Sequence, residues 1–476
     1  MRARGILAEL WKSGPGRAGS VLLGILGAAS IAVVVTFPPD FGPARWSNPG
    51  LWADAPRSAP PAWINLFLRD KLVTHRAERL IAPTRRAAAG SGTEMHYEMR
   101  FRLDAPRPPT FLSYSVSDVV FQDQPPVVTA RLTRPDGAVI LLHRESIRGP
   151  RPGETPPFHR HADDALRVVV AAEERSIDEI VSLFSDRYGV AIDRAAVKDH
   201  FAEALFATST GWEVLPGEYR LDVELAMAGA DDRAGAVQLV AGGSVFGAMG
   251  TDALGRDLAQ GLLFGLPIAL LIGIATAVVS TLIGMSLGLA SGYFGGAADM
   301  VIQRAADIVA NVPLLPLLIF LVFIGGSRLW LILLVLVAFS WPGLAIMVRT
   351  MVLQLRTGQE VEAAQALGAS GARVVVRHIL PHTASFVLAQ LVFSAPSAIL
   401  AEAGLSFLGL GDPSLPTWGQ ILEYGFRTGA VYLGYWWWVI PPGLAIVITA
   451  VTFMFLALGL EPVVDPRLRG RRLWRS

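Results

Sequence analysis

The sequence predicts an α-helical polytopic membrane protein with six transmembrane helices and an inserted extracytoplasmic β-rich α+β domain. Three observations carry this. Of the 476 residues, 52% are hydrophobic and only 17% charged, against about 25% charged in an average soluble domain. Charge disappears altogether over residues 18–39, 258–298, 308–327, 329–348, 383–401 and 428–460, and a helix needs about 20 apolar residues to cross a bilayer. Between the first two runs, residues 40–245 are rich in Pro, Arg and Asp, a stretch too long to be a structureless connection.

Residues 1–17 form a basic leader with Arg2, Arg4, Lys12 and Arg17. The span at 18–39 has a longer apolar run than the ~7–15 residues of a signal-peptide core, and no clear Ala-x-Ala cleavage site follows it, so it reads as a retained helix. The run at 258–298 is expected to be one helix, roughly 262–292, with a surface segment before it. Basic residues set the orientation. Arg349, Arg356, Arg373 and Arg377 lie in the loop 350–382 or at its edge, and Arg467, Arg469, Arg471, Arg472 and Arg475 follow the last span. With six helices these places share a side with the N-terminus, and the positive-inside rule makes that side cytoplasmic. The expected order is therefore a cytoplasmic N-terminus (1–17), a first span (18–39), an extracytoplasmic domain (40–245), a core with spans two to six (246–465) and a basic cytoplasmic tail (466–476).

Inside 40–245, "FPPDFGPARWSNPG" and "ADAPRSAPPAW" read as an irregular lead-in. "EMHYEMRFRL", "FLSYSVSDVVF" and "VVTARLTRPDGAVILL" alternate as strands, the last a hairpin about Pro135-Asp136-Gly137. "EVLPGEYRLDVELAMAG" reads as a turn entering an edge-type strand. "RSIDEIVSLFSDRYG" and "DRAAVKDHFAEALFA" carry apolar residues at helical spacing. A small sandwich-like domain with an inserted helical pair is expected.

Catalytic signatures are missing. A net charge of +1 gives no nucleic-acid footprint, and with no cysteine there is no disulfide, thiolate nucleophile or Cys-ligated metal. No phosphate loop, nucleophile elbow or His-Glu-x-x-His helix occurs. His159 and His161 in "FHRHADD" are a possible metal pair, but their Pro-rich surroundings favour a solvated loop. Asp299, Arg304, Asp307 and Glu402 lie near predicted helix ends, where interfacial anchoring or helix pairing suits them better than an ion pathway.

The loop between the fourth and fifth spans contains "EVEAAQALGASGARVVVRHILPH". Its Ala- and Glu-rich first half favours helix, Gly368 is placed to end it in the left-handed conformation, Ser370 to cap a second helix and Pro381 to mark the next boundary. The plain alternative is an amphipathic linker. However, Glu-Ala-Ala, three residues, Gly, eleven residues and Leu-Pro resembles the "EAA" loop of ATP-binding-cassette (ABC) importer permeases. "GTDALGRDL", "GLASGYFGG", "EAAQALGAS", "RHILPH" and "ILAEAGLSFLGLGDPSLPTWGQIL" together resemble the C-type permease of dipeptide, oligopeptide and nickel importers. The resemblance covers about 250–469 and the first span. Two features depart from the family: Gly247-Ala248-Met249 stand where His-Pro-Leu is usual, and the domain between the first two spans is far longer.

The resemblance implies a type I importer permease at the inner membrane, with no cofactor bound by this chain and ATP and Mg held by partner subunits. Implied partners are a second permease in a heterodimer, two cytoplasmic ATPases and an extracytoplasmic binding protein, with no nucleic acid. It further implies that Glu362, Ala363, Ala364, Gly368, Ala369 and Ser370 contact the ATPase. Gly404, Leu405, Phe407, Gly409, Gly411, Pro416, Trp418 and Gly419 would shape the outer pore mouth. Pro396, Pro441 and Pro442 permit gating kinks, though packing explains them equally. The competing readings are a membrane enzyme, for which no intramembrane nucleophile is visible, and a membrane-anchored scaffold whose extracytoplasmic domain does the work.

Overall fold

The computed structural model describes residues 10–89, 92–229 and 231–464; Arg2, Arg4 and the tail 466–476 lie outside the described residues. The chain divides into two compact units, Met1–Asn48 with Ala259–Ser476, and Pro49–Leu258. Helix α1 (Gly14–Thr36) opens with Ser13, whose hydroxyl accepts from the Gly16 amide at 3.0 Å, a side-chain cap of the ordinary kind.

The Pro49–Leu258 unit is β-rich. Its strands are β1 (Arg76–Leu80), β2 (Arg85–Ala89), β3 (Gly92–Leu103), β4 (Leu112–Val116), β5 (Val119–Phe121), β6 (Val127–Thr133), β7 (Val139–Ser146), β8 (Phe158–Arg160) and β9 (Leu166–Val169). Helices α2 (Glu174–Tyr188), α3 (Arg194–Asp199) and α4 (Phe201–Ala204) follow, then β10 (Gly217–Met227) and β11 (Val237–Ala241). Two antiparallel sheets form, β2-β3-β10-β6-β7 and β1-β11-β4-β9, with a separate β5-β8 pair. Period-two alternation builds the core. Tyr219, Leu221, Val223 and Leu225 of β10 turn inward beside Tyr97, Met99 and Phe101 of β3, while Arg220, Asp222 and Glu224 face out. Ile177, Ile180 and Phe184 lay one face of α2 on the same core.

The hairpin stands where expected, with Gly137 at φ 82° and the Arg134 amide donating to Ala138 O. Arg134 itself is buried and donates to Leu205 O (2.7 Å), Ala207 O (2.8 Å) and Tyr188 Oη (3.0 Å). One guanidinium thus satisfies the carbonyls where the helical insert ends. Three expectations are corrected. β10 is central, not an edge, because β3 and β6 pair with its two sides. "FLSYSVSDVVF" is two strands in different sheets, since Asp118 takes a positive φ of 49° and turns the chain. "DRAAVKDHFAEALFA" breaks at His200 into α3 and α4. "GTDALGRDL" folds within this unit. Thr251 Oγ1 donates to Pro56 O (2.6 Å) and accepts from the Ala59 amide (2.9 Å). Asp252 is buried against Arg256 (2.5 Å).

The other unit continues with α5 (Leu258–Phe294), a single 37-residue helix as expected, although it starts directly at Leu258 with no separate surface segment. Then come α6 (Gly296–Asn311), α7 (Leu314–Gly325), α8 (Leu329–Ser340) and α9 (Pro342–Leu355). The unit ends with α10 (Gln359–Ala366), α11 (Gly371–Val374), α12 (Leu380–Phe407), α13 (Trp418–Arg427) and α14 (Trp436–Val464). Among the described residues five helical stretches are long and apolar enough to span a membrane, or six if α6 and α7 count as one broken span. Over the third apolar run, 308–327, the helix is broken. Pro313 holds Val312 in the extended region, and α6 and α7 bend by 80° there.

Small residues let these helices approach closely, as membrane packing favours. A Cβ on Gly288 of α5 would lie 2.6 Å from Ala345 O and 2.7 Å from Val348 Cβ of α9; Gly284 and Gly292, one turn away on either side, are equally tight. Gly16 and Gly19 of α1 make the same kind of contact with Gly459 and Leu456 of α14. Beside the glycine row, Arg349 of α9 donates both Nε and Nη2 to Asp299 of α6 at 2.6 Å. Asp299 also accepts from Ser291 of α5, so three helices are joined. Helix pairing is therefore the role of Asp299.

Candidate functional site

The expected corner is present. α10 begins after Gly358 and ends at Leu367, and Gly368 follows at φ 79°. The Ala369 amide reaches back to Ala364 O (3.1 Å) and the Gly368 amide to Gln365 O (2.9 Å), the bonding that a left-handed residue after a helix permits. Ser370 precedes α11 in extended conformation, but its side chain makes no capping bond; its carbonyl accepts from the Val374 amide. α11 is a single turn, continued by a wider turn over Val375–Ile379 into α12, where Pro381 sits in the first turn.

Burial sorts the corner residues. Val361 and Ala364 point inward, onto a cluster with Val348, Val352, Val374 and Ile379. Glu362, Ala363, Ala366, Gly368 and Ser370 are exposed, Ala369 is partly so, and Leu367 is 89% exposed. Ala364 thus packs on the chain's own core. Leu367, with no motif to mark it, stands at the most prominent point.

Three contacts fix the corner to the bundle. Glu360 at the start of α10 meets both histidines of "RHILPH", His378 Nδ1 at 2.9 Å and His382 Nε2 at 3.2 Å. Gln365 Nε2 reaches Tyr293 Oη of "GLASGYFGG" at 3.4 Å, and Gly371 packs on the same ring. Arg356 Nη1 donates to Gly292 O at 3.3 Å. Motifs far apart in the sequence therefore meet here.

The Glu360 carboxyl is held below its ordinary range, first by the bond from His378 and then by that from His382. A depressed carboxylate contributes stability above its unfolded value and loses it as pH falls through the folded one. Glu360→Gln is therefore expected to lower the Tm of the purified protein at neutral pH, and the difference should shrink below about pH 4.3. A Tm difference that fails to shrink as the pH falls below about 4.3 would refute this.

The expected outer-loop residues divide in two. Gly404, Leu405 and Phe407 still belong to α12, and Trp418 and Gly419 open α13, so the loop proper is 408–417. Leu405, Gly411, Pro416, Trp418 and Gly419 are buried, whereas Gly404, Phe407 and Gly409 are exposed. Trp418 Nε1 donates to Leu262 O of α5 at 3.0 Å, and a Cβ on Gly419 would meet Ala403 O at 2.5 Å. Glu402 lies buried with the Ser406 hydroxyl on its Oε1 at 2.7 Å. The turn Phe41–Trp46 after α1 packs here too, with Gly42 against Leu415 and Trp46 against Gly261. This buttress has no sequence signal beyond its aromatic residues.

His159 lies in β8 and His161 bonds to Asp164 O, and among the described residues no group of three His, Asp or Glu is placed to hold a metal.

Residues 280–470 match the family model described as binding-protein-dependent transport system inner membrane component. The dipeptide transport system permease protein DppC of Bacillus subtilis (strain 168) is 35% identical over 221 residues, 46% of this chain and 68% of that protein. The oligopeptide transport system permease protein OppC of the same organism is 38% identical over 221 residues, 46% of this chain and 72% of that protein. The chain belongs to this permease family. It is an integral multi-pass membrane protein, the permease subunit of an ABC importer, and not itself an enzyme. A solved structure of inward-facing MetNI methionine ABC transporter aligns with 44% of the permease and 97% of that chain at TM-score 0.35 and 20% identity, too weak a likeness to decide anything. The family model's residues 280–470 leave the β-rich unit outside the matched region.

Proposed function

We propose that this permease forms half of the translocation pore of an importer for peptides or a related small solute, paired with a second permease, in a bacterial-type inner membrane. The corner is read as the docking point for a cytoplasmic ATPase, through Glu362, Ala363, Ala366, Leu367 and the Gly368–Ser370 turn. The outer loop and the β-rich unit stand on the opposite side, where a loaded binding protein arrives. Six spans follow if α6 and α7 cross as one broken element, which returns both termini to the cytoplasm.

One observation carries this reading. The corner and the outer loop are attached to opposite ends of α12, whose 28 residues rise about 42 Å, more than the ~30 Å hydrocarbon core of a bilayer. A partner moving the corner therefore moves one end of a helix whose other end shapes the pore mouth. Because Val361, Ala364 and Glu360 fix the corner to the bundle, ATPase closure biases the pore between its two facing states. Peptide cargo is supported by the relatives named above and by nothing in the pore itself.

Cysteine labelling tests the topology, since the chain has no native thiol. Ser370 and Thr210 are both exposed. On intact cells an impermeant maleimide should label Thr210→Cys and leave Ser370→Cys unlabelled until the membrane is opened. Labelling of Ser370→Cys alone, or of both, would overturn the arrangement. Ser176 is no substitute probe, being buried with its hydroxyl on Leu141 O.

A further inference from the structure

We infer that the Leu66–Lys71 tip of the β-rich unit seats in the interfacial layer of the lipid bilayer. The segment "WINLFLRDK" leaves a short 3-10 turn, Ala62–Leu66, and ends in an apolar tip. Leu66 is 82% exposed, Phe67 79% and Leu68 37%, with Trp63 at 44% next to them.

This tip is held out rather than loosely dangling. Asn65 clamps its base, donating Nδ2 to Leu72 O and accepting from the Leu72 amide, both at 2.9 Å. The Ala62 amide bonds Gly247 O and the Trp63 indole bonds Ala248 O, again at 2.9 Å. A tip whose backbone is held in this way loses little further backbone entropy on being covered, and contiguous exposed apolar surface marks an interaction site.

Two features choose the bilayer as the occupant. Ala248 precedes the start of α5 at Leu258 by about ten residues, a reach of at most ~36 Å, so the tip is anchored to chain about to enter the membrane. The tip also has the residue order of an interfacial contact. Trp63 and Phe67 suit the headgroup boundary, Leu66 and Leu68 the acyl region, and Arg69 and Lys71, both exposed, suit lipid phosphates.

The test uses the full chain in nanodiscs of phosphatidylethanolamine and phosphatidylglycerol. Phe67→Cys is labelled with an environment-sensitive NBD probe and compared with Val139→Cys on β7, a position 55% exposed. Nitroxide lipids should quench the probe at 67 severalfold more strongly than at 139, and its emission should shift to the blue. Leu66→Cys repeats the measurement should Phe67→Cys fold poorly. Equal nitroxide quenching at the two positions overturns the inference. Equal quenching with position 67 shielded from aqueous iodide would assign the tip to a second copy of the chain, and overturns it as well.

Discussion

Replacing Gly368 with valine is expected to uncouple transport from ATP hydrolysis while leaving the membrane bundle folded. Gly368 has φ 79° and nothing within 4 Å of the position a Cβ would take, so the effect is conformational and not steric. A β-branched residue held there costs about 1–3 kcal/mol. The corner can relieve that strain by leaving the geometry in which the Ala369 amide reaches Ala364 O, and 1–3 kcal/mol is about 5–150-fold in the population of the docking-competent form. Uptake should fall by a comparable factor while the purified complex still hydrolyses ATP. Gly368→Asn, which tolerates the left-handed region, should keep most of the uptake. Wild-type uptake in Gly368→Val would sink the idea, as would an equal loss in both variants.

A larger loss of folded protein is expected from Gly288→Leu. Here space decides. A Cβ would stand 2.6 Å from Ala345 O, a backbone atom that cannot rotate aside, so α5 and α9 must separate. Overpacking of this kind costs about 1–3 kcal/mol and sometimes more. It would also pull at the Asp299–Arg349 pair that ties α6 to α9. The yield of monodisperse permease and its Tm should both drop, whereas Gly27→Leu on α1, where a Cβ would meet nothing within 4 Å, should be tolerated. A Gly288→Leu protein as stable as wild type would mean that the two helices are not in close contact.

The sequence by itself determined the class of the protein, the positions of most long apolar helices, the corner at Gly368, the hairpin at Gly137 and the family. These rest on local physics: apolar runs, a glycine where φ turns positive, turn chemistry and short motifs whose order survives in a single chain. Tertiary structure alone decided that β10 is central, because whether a strand is flanked on one side or two depends on partners distant in sequence. It alone turned Ala364 inward and Leu367 outward, since a face of an Ala-rich helix is chosen by what packs against it and not by its own spacing. It broke the third apolar run at Pro313, where hydropathy averages over a bend. It also brought Glu360 to His378 and His382, and Tyr293 to Gln365, joining motifs whose proximity no period or spacing encodes.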